Sequence, residues 1–115
     1  MRLAISISDC AKVVRFGRVA VIHSPQHGAG WYSWHRIEEL LFDPQLVDMI
    51  ERGAEAEEVE AYCEEHYQNE HKSAYWGGVD DLVITWIPEG SLFRIDEYDG
   101  AETIVLQDDD LWIVA

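Results

Sequence analysis

The first part of the chain has the two-residue alternation of apolar and polar positions that is typical of β-strands. Apolar residues at positions 3, 5 and 7 alternate with small residues, which predicts a first strand. A second strand region is predicted at residues 13–22, where Phe16-Gly17 divides two apolar runs. Because glycine accepts backbone angles that other residues resist, Gly17 indicates a bulge or a tight bend.

The middle of the chain has the spacing of helices. A short helix is predicted at residues 37–42. Asp43-Pro44 predicts the start of another, with the aspartate as cap and the proline in the first position. Gly53 predicts its end. A longer helix is predicted over about residues 54–71, with glutamates on most of its surface and a buried stripe. That stripe consists of Val59, Tyr62, Cys63, His66 and Tyr67.

Strand signals return in the last third, which predicts a β meander. Strands are predicted at 82–87, 92–97, 103–106 and 111–114, and Asp99-Gly100 is a strong hairpin signal. We therefore expect one α+β domain over residues 1–115. Its mostly antiparallel sheet would combine the N-terminal strands with the meander, and two or three helices would pack on one face.

Charge narrows the function classes more than composition does. The net charge is −15, with +4 over residues 1–36 and −19 over residues 37–115. Such a surface repels phosphates, which argues against direct binding of DNA or RNA. The acidity either keeps the protein soluble or imitates a phosphate backbone.

The sequence also predicts where the protein is located. No apolar run is long enough to span a membrane. A signal-peptide core is also missing, and the two cysteines do not suggest a disulfide framework, so a cytosolic protein is expected.

A glycine- and tryptophan-rich stretch at residues 27–36 suits neither a strand nor a helix, and this predicted loop is the best candidate for a binding site. Bare backbone amides could face a ligand anion, indole rings could stack on a flat group, and arginines could neutralise a phosphate. The alternative is that the tryptophans are core residues. The candidate residues for these roles are Gly28, Gly30, Trp31, Trp34 and Arg36, with Arg18 from the preceding strand region.

A second glycine–aromatic cluster at residues 73–81 could complete the same pocket. Tyr75 would stack on the ligand, and Gly77 and Gly78 would let the backbone approach it. The alternative is a tight connection whose aromatic rings pack under the helices. Neither cluster contains a recognised catalytic sequence, and no metal-ligand spacing occurs, so neither an enzyme, a metal site nor a cofactor is predicted.

Two segments resemble a family of small acidic accessory proteins encoded by bacteriophages and prophages. One segment runs from residues 15–21 through 28–34 to 41–43, and the other combines residues 75–78, 86–90 and 94–100. The resemblance implies a viral protein that acts in the cytoplasm of a bacterium. Small accessory proteins of this kind often counter host defence.

Two functional hypotheses follow from these patterns. In the first, the chain is a non-enzymatic, homo-oligomeric binder that sequesters a nucleotide-type host molecule in the aromatic pocket. In the second, the acidic block over residues 37–115 mimics a nucleic acid and inhibits a host nuclease or CRISPR effector. A structural or assembly accessory of a phage is a third alternative.

Overall fold

The computed structural model describes residues 9–28, 30–67, 76, 78–107 and 115. Five strands, three α-helices and one 3₁₀ helix lie within them, so the predicted α+β class is confirmed. In chain order these are β1 (Val14–Arg15), β2 (Arg18–His23), α1 (Tyr32–His35), the 3₁₀ helix (Glu38–Leu41), α2 (Pro44–Glu51), α3 (Ala56–His66), β3 (Val83–Pro88), β4 (Phe93–Tyr98) and β5 (Ala101–Leu106).

β2 is the central strand of a three-stranded antiparallel sheet. It pairs with β1 on one side and with β3 on the other, in a register that places Arg18 opposite Pro88 and His23 opposite Val83. β2 is buried from its second residue to its end. A strand covered on both faces needs apolar residues at consecutive positions, which explains its continuous run of apolar residues.

Two hydrophobic clusters cover the two faces of β2. Ala20 and Ile22 face one cluster, to which α2 and α3 contribute their apolar stripes. Val19 and Val21 face the other cluster, which contains Leu41 and Phe42 and contacts partly buried residues of β4 and β5. The molecule therefore has a helical layer, a central sheet and a second, two-stranded sheet. As predicted, α2 and α3 share one face of the central sheet.

The predicted capping signals set the ends of α2. The Asp43 carboxylate accepts a hydrogen bond from the Gln45 amide at 2.8 Å, and Pro44 occupies the first helical position. Gly53 follows the helix with φ of 71°, the left-handed conformation expected of a helix stop. The next helix, α3, is shorter than the prediction over residues 54–71, because it ends at His66. Residues 68–71 lie outside the described part of the chain.

Within the described residues, the strands of the last third divide between two sheets and do not form one continuous meander. β3 pairs with β2, and β4 pairs with β5 in a separate sheet. Asp99-Gly100 makes the predicted tight turn between β4 and β5, with φ angles of 51° and 85°. The strands predicted near residues 3–8 and 111–114 lie outside the described residues.

One local prediction needs correction, because part of the loop predicted at residues 27–36 is helical: Tyr32–His35 form one helical turn, closed by a bond from the Arg36 amide to the Tyr32 carbonyl. Of the two alternatives for Gly17, the tight bend is present, since Phe16-Gly17 forms the turn of the β1–β2 hairpin. None of the helices in the described ranges is long and apolar enough to cross a membrane.

The two hairpin turns yield a first prediction. Both have two consecutive residues at positive φ, which favours Asn, Asp or Gly in the first position. The Phe16→Asn substitution should therefore raise the free energy of unfolding by about 1 kcal/mol, measured by urea denaturation. The Asp99→Phe substitution at the equivalent position should lower it by a similar amount. A Phe16→Asn variant less stable than the wild type would contradict the turn assignment.

Candidate functional site

The β2–α1 loop, residues 24–31, wraps around one buried carboxylate, that of Glu102 on β5. Oε1 accepts a hydrogen bond from the Ser24 amide at 3.0 Å. Oε2 accepts three more, from the Trp31 amide at 2.9 Å and from the amide and hydroxyl of Ser33 at 2.7 and 2.6 Å. Glu102 is only 2% exposed. The loop thus binds an anion through its backbone, but the anion belongs to the chain itself.

The backbone around Glu102 joins the two sheets. Its amide donates to the Ser24 carbonyl at 2.8 Å, and its carbonyl lies 3.2 Å from Nδ1 of His23. Nε2 of the same histidine lies 2.9 Å from the Thr85 hydroxyl on β3. His23, Ser24 and Glu102 therefore connect β2, β3 and β5 within one polar cluster.

The candidate glycines bring backbone segments together. Gly30 and Gly78 meet, since a Cβ on Gly78 would lie 2.6 Å from the Gly30 carbonyl oxygen. Gly28 packs against Gly100, where any side chain would overlap the Gly28 backbone. The described parts of the two glycine-containing loops are thus neighbours. Other backbone fills the space beside Gly78 and Gly100, the side chains of Ser33 and Glu102 lie beside Gly30, and the space beside Gly28 is open.

The candidate aromatic residues have different surroundings. Trp31 is completely buried, and its Nε1 donates to the Leu40 carbonyl at 3.0 Å. Its ring lies 6.3 Å from that of Trp76 in the cluster that faces the helices, so no face of it is open to a ligand in this structure. Trp34 is 53% exposed on α1. Tyr75 and Gly77 lie outside the described residues.

His35 is the third ring of this cluster, and the sequence analysis did not single it out. Its centroid lies 4.5 Å from that of Trp76 and 5.5 Å from that of Trp31. Neither ring nitrogen has a hydrogen-bond partner among the described residues, although both are buried. Burial lowers the pKa of His35 to about 4, and the nearby Glu102 carboxylate opposes this shift only partly. The imidazole is therefore neutral at pH 7 and packs as an aromatic ring.

The two candidate arginines do not converge. Arg36 ends α1 and borders an open cavity of about 420 Å³. Arg18 begins β2, and five residue steps of about 3.3 Å separate it from the end where the β2–α1 loop starts. The cavity is lined by Tyr32, Ser33, Arg36, Ile95, Asp96 and Glu97. Its two carboxylates weaken the positive potential that a phosphate would need.

A second buried carboxylate, that of Asp43, is also bound by donors of the chain itself. Besides capping α2, it accepts hydrogen bonds from the hydroxyls of Tyr62 and Tyr67 at 2.7 and 2.5 Å. Burial and these bonds raise the pKa of both tyrosines. Burial also raises the pKa of the Cys63 thiol to about 12, which makes it a poor nucleophile. This cluster stabilises α2 against α3 and contains no activated group.

Comparison with known proteins does not indicate a function for this site. No protein-family model, curated protein or solved structure matches the chain. Within the described residues, no group of three His, Cys, Asp or Glu side chains could hold a metal ion.

Glu102, like His35, is a residue of this site that was not predicted from the sequence. A signal for it exists, because Glu102 shares a strand face with Ile104 and Leu106, which contact the core. An acid at an inward position of a strand needs a partner. The partners here are backbone amides, which no sequence pattern identifies.

The Glu102 contacts predict a large cost of substitution. Glu102→Gln would direct an NH₂ group or a weaker acceptor at the four donors that now bind the carboxylate. We expect the free energy of unfolding to fall by about 2–4 kcal/mol, measured by urea denaturation. Glu97→Gln is the matched control, since Glu97 is exposed on the same hairpin and accepts only the Gly100 amide. It should cost less than about 1 kcal/mol. Equal costs would contradict the role of Glu102.

The surroundings of His35 predict a pH effect. The pKa of His35 is lower in the folded state than its ordinary value of 6.5, so its contribution to stability is complete above pH 6.5 and declines toward pH 4. We expect this loss to be on the order of 1–2 kcal/mol, after allowance for partial exposure.

The matched variant is His35→Phe, which keeps an aromatic ring and removes both unpaired nitrogens. Its unfolding free energy, measured between pH 7 and pH 4.5, should fall less than that of the wild type. Carboxylates contribute the same loss to both proteins, so the difference isolates His35. Parallel pH curves would contradict the assignment.

Proposed function

We propose that this chain is a non-enzymatic binding protein whose acidic surface occupies a basic, nucleic-acid-binding surface of a partner protein. The observation that carries the proposal is the distribution of charge. Ion pairs already engage three of the arginines: Arg15 with Glu51, Arg52 with Asp48 and Glu58, and Arg94 with Asp96. The acids outnumber these cations so strongly that most exposed carboxylates have no such partner within the described residues.

The outer surface of α3 is rich in carboxylates. Glutamates at positions 57, 58, 60, 64 and 65 leave Val59 and Cys63 to face the core. Residues 57–65 span about 13.5 Å along the helix axis. Within the described residues, Glu58 is the one of these glutamates with an ion-pair partner, Arg52, so the other four amount on average to one charge per about 3.4 Å. One strand of B-DNA has a similar average density of charge along its axis, one per about 3.4 Å.

A basic protein surface is the partner that this charge favours. The repulsion between carboxylates and phosphates opposes binding to nucleic acid itself. A groove that binds phosphates attracts the same pattern of negative charge. The resemblance to phage accessory proteins supports a host nuclease or a CRISPR effector in the bacterial cytoplasm as the target.

The nucleotide-type ligand stays a prediction of the sequence. Its predicted site receives less support than the acidic surface, because the Trp31 ring is in the core. Asp96 and Glu97 beside Arg36 also oppose a phosphate.

A pair of charge-matched variants tests the proposal. The first replaces Glu57, Glu60 and Glu64 on α3 by Gln, which has a similar helix propensity. The second replaces Asp80 and Asp99 by Asn and Glu89 by Gln, which removes the same charge elsewhere on the surface. The immobilised full chain is used to capture proteins from a bacterial lysate, with elution by rising salt and by a DNA oligonucleotide.

We expect a basic nucleic-acid-binding protein to be retained, and to be released by moderate salt and by DNA. The α3 variant should bind this protein at least about tenfold more weakly, whereas the second variant should retain it. The proposal is contradicted if no basic protein is retained, if DNA does not compete, or if both variants lose binding equally.

A further inference from the structure

The turn between β4 and β5 has a chemically sensitive sequence, because Asp99 is the one aspartate of the chain that is followed by glycine. The backbone nitrogen after an aspartate can attack the side-chain Cγ and expel one water molecule, which closes a five-membered succinimide ring. One water molecule then opens the ring at either carbonyl, and the product is aspartate or isoaspartate. In isoaspartate the main chain runs through the former side-chain carboxyl group. A following glycine favours the reaction, since it has no side chain that shields the attacking nitrogen.

The two reacting groups of this turn have different surroundings. Asp99 is exposed, so its carboxyl group is open to water, whereas Gly100 is buried. The Gly100 amide donates a hydrogen bond to Oε2 of Glu97 at 2.6 Å. The Asp99 carbonyl accepts a hydrogen bond from the Gly28 amide at 3.0 Å, which fixes the peptide group between the two residues. The carboxyl group is therefore accessible, while the nitrogen that would attack it is engaged.

The Glu97 carboxylate opposes the reaction at the attacking atom. The Gly100 nitrogen becomes nucleophilic only after it loses its proton, and the charge of Glu97 disfavours a second negative charge beside it. A hydrogen bond to an ionised acceptor is also stronger than one to a neutral acceptor. A carboxylate is far too weak a base to remove the amide proton itself. Its effect is therefore protection of the Asp99-Gly100 peptide.

Isoaspartate does not fit the contact between this turn and the β2–α1 loop. Gly100 packs so closely on Gly28 that an added Cβ would overlap the Gly28 carbonyl oxygen. Isomerisation inserts one carbon atom into the main chain just before Gly100, so the contact with Gly28 cannot be kept together with the hydrogen bond from Gly28 to residue 99. Glu102 follows two residues later, and its hydrogen bonds to the same loop need the same alignment.

We propose that Asp99 is a modification site, where isomerisation to isoaspartate is restrained by the Glu97 carboxylate and, once it occurs, loosens the β4–β5 hairpin from the β2–α1 loop. Isoaspartate retains one free carboxylate, so the net charge of the protein does not change. The modification acts on the fold around Glu102 and leaves the glutamates of α3 unaltered. In the folded chain its rate follows the population of turns that have opened locally.

Prolonged incubation of the full chain at physiological pH and temperature tests the role of Glu97. Proteolytic peptides that contain residue 99 are separated by reversed-phase chromatography, and isoaspartate is identified by electron-transfer fragmentation. Glu97→Gln keeps an acceptor but removes its charge, and should accelerate isomerisation about three- to tenfold. Glu89→Gln is the matched control, because it removes the same charge from an exposed position in the turn after β3, and it should leave the rate unchanged. Circular dichroism verifies that both variants stay folded during the incubation.

Two further measurements complete the test. The wild type unfolded in guanidinium chloride should isomerise at least about tenfold faster than the folded chain. The isolated isoaspartate form should unfold at a lower urea concentration than the unmodified chain. The proposal is overturned if Glu97→Gln reacts at the wild-type rate or more slowly, or if Glu89→Gln accelerates the reaction equally. Equal rates in the folded and unfolded chains, or an isomerised chain as stable as the unmodified one, would also overturn it.

Discussion

The buried carboxylate of Glu102 is the interaction on which the arrangement of this protein depends. A charge removed from water is costly unless donors replace its hydration, and four hydrogen bonds from the β2–α1 loop and Ser33 do so here. Those bonds fix the path of the loop, the start of α1 and the entry of Trp31 into the core. They also hold the two-stranded sheet against the central one, because Glu102 lies on β5.

This interaction gives the glycine- and tryptophan-rich loop a different role from the one its composition suggests. Close backbone approach and anion binding are both present, but they serve contacts within the chain. Gly30 and Gly78 meet each other, and the amides bind Glu102. What remains for a partner is outside the core: the carboxylates of α3, the cavity beside Arg36 and the exposed ring of Phe16. The proposed interaction with a basic partner therefore uses the surface charge of this protein.

The sequence predicts local structure better than it predicts contacts between distant segments. The cap of α2 at Asp43 and the hairpin at Asp99-Gly100 depend on neighbouring residues, and both are present as expected. The division of the strands between two sheets depends on which faces are covered, and the alternation within β3 or β4 does not contain that information. Trp31 illustrates the limit at the candidate site. The local sequence around Trp31 is as compatible with a ring that stacks on a ligand as with a ring in the core. The hydrogen bond from its amide to the distant Glu102 fixes the orientation of its backbone.

The register of the central sheet has a consequence for synthesis of the protein on the ribosome. β2 cannot complete its pairing before β3 has been synthesised, because Arg18 lies opposite Pro88 and His23 opposite Val83. The long segment between His23 and Val83 must close into a loop, which is entropically costly and favours slow folding. Until β3 has left the exit tunnel, a nascent chain exposes the apolar face of β2 without its neighbour, and the anchoring carboxylate at position 102 follows later still. The nascent chain therefore presents an incomplete sheet for as long as β3 is unavailable.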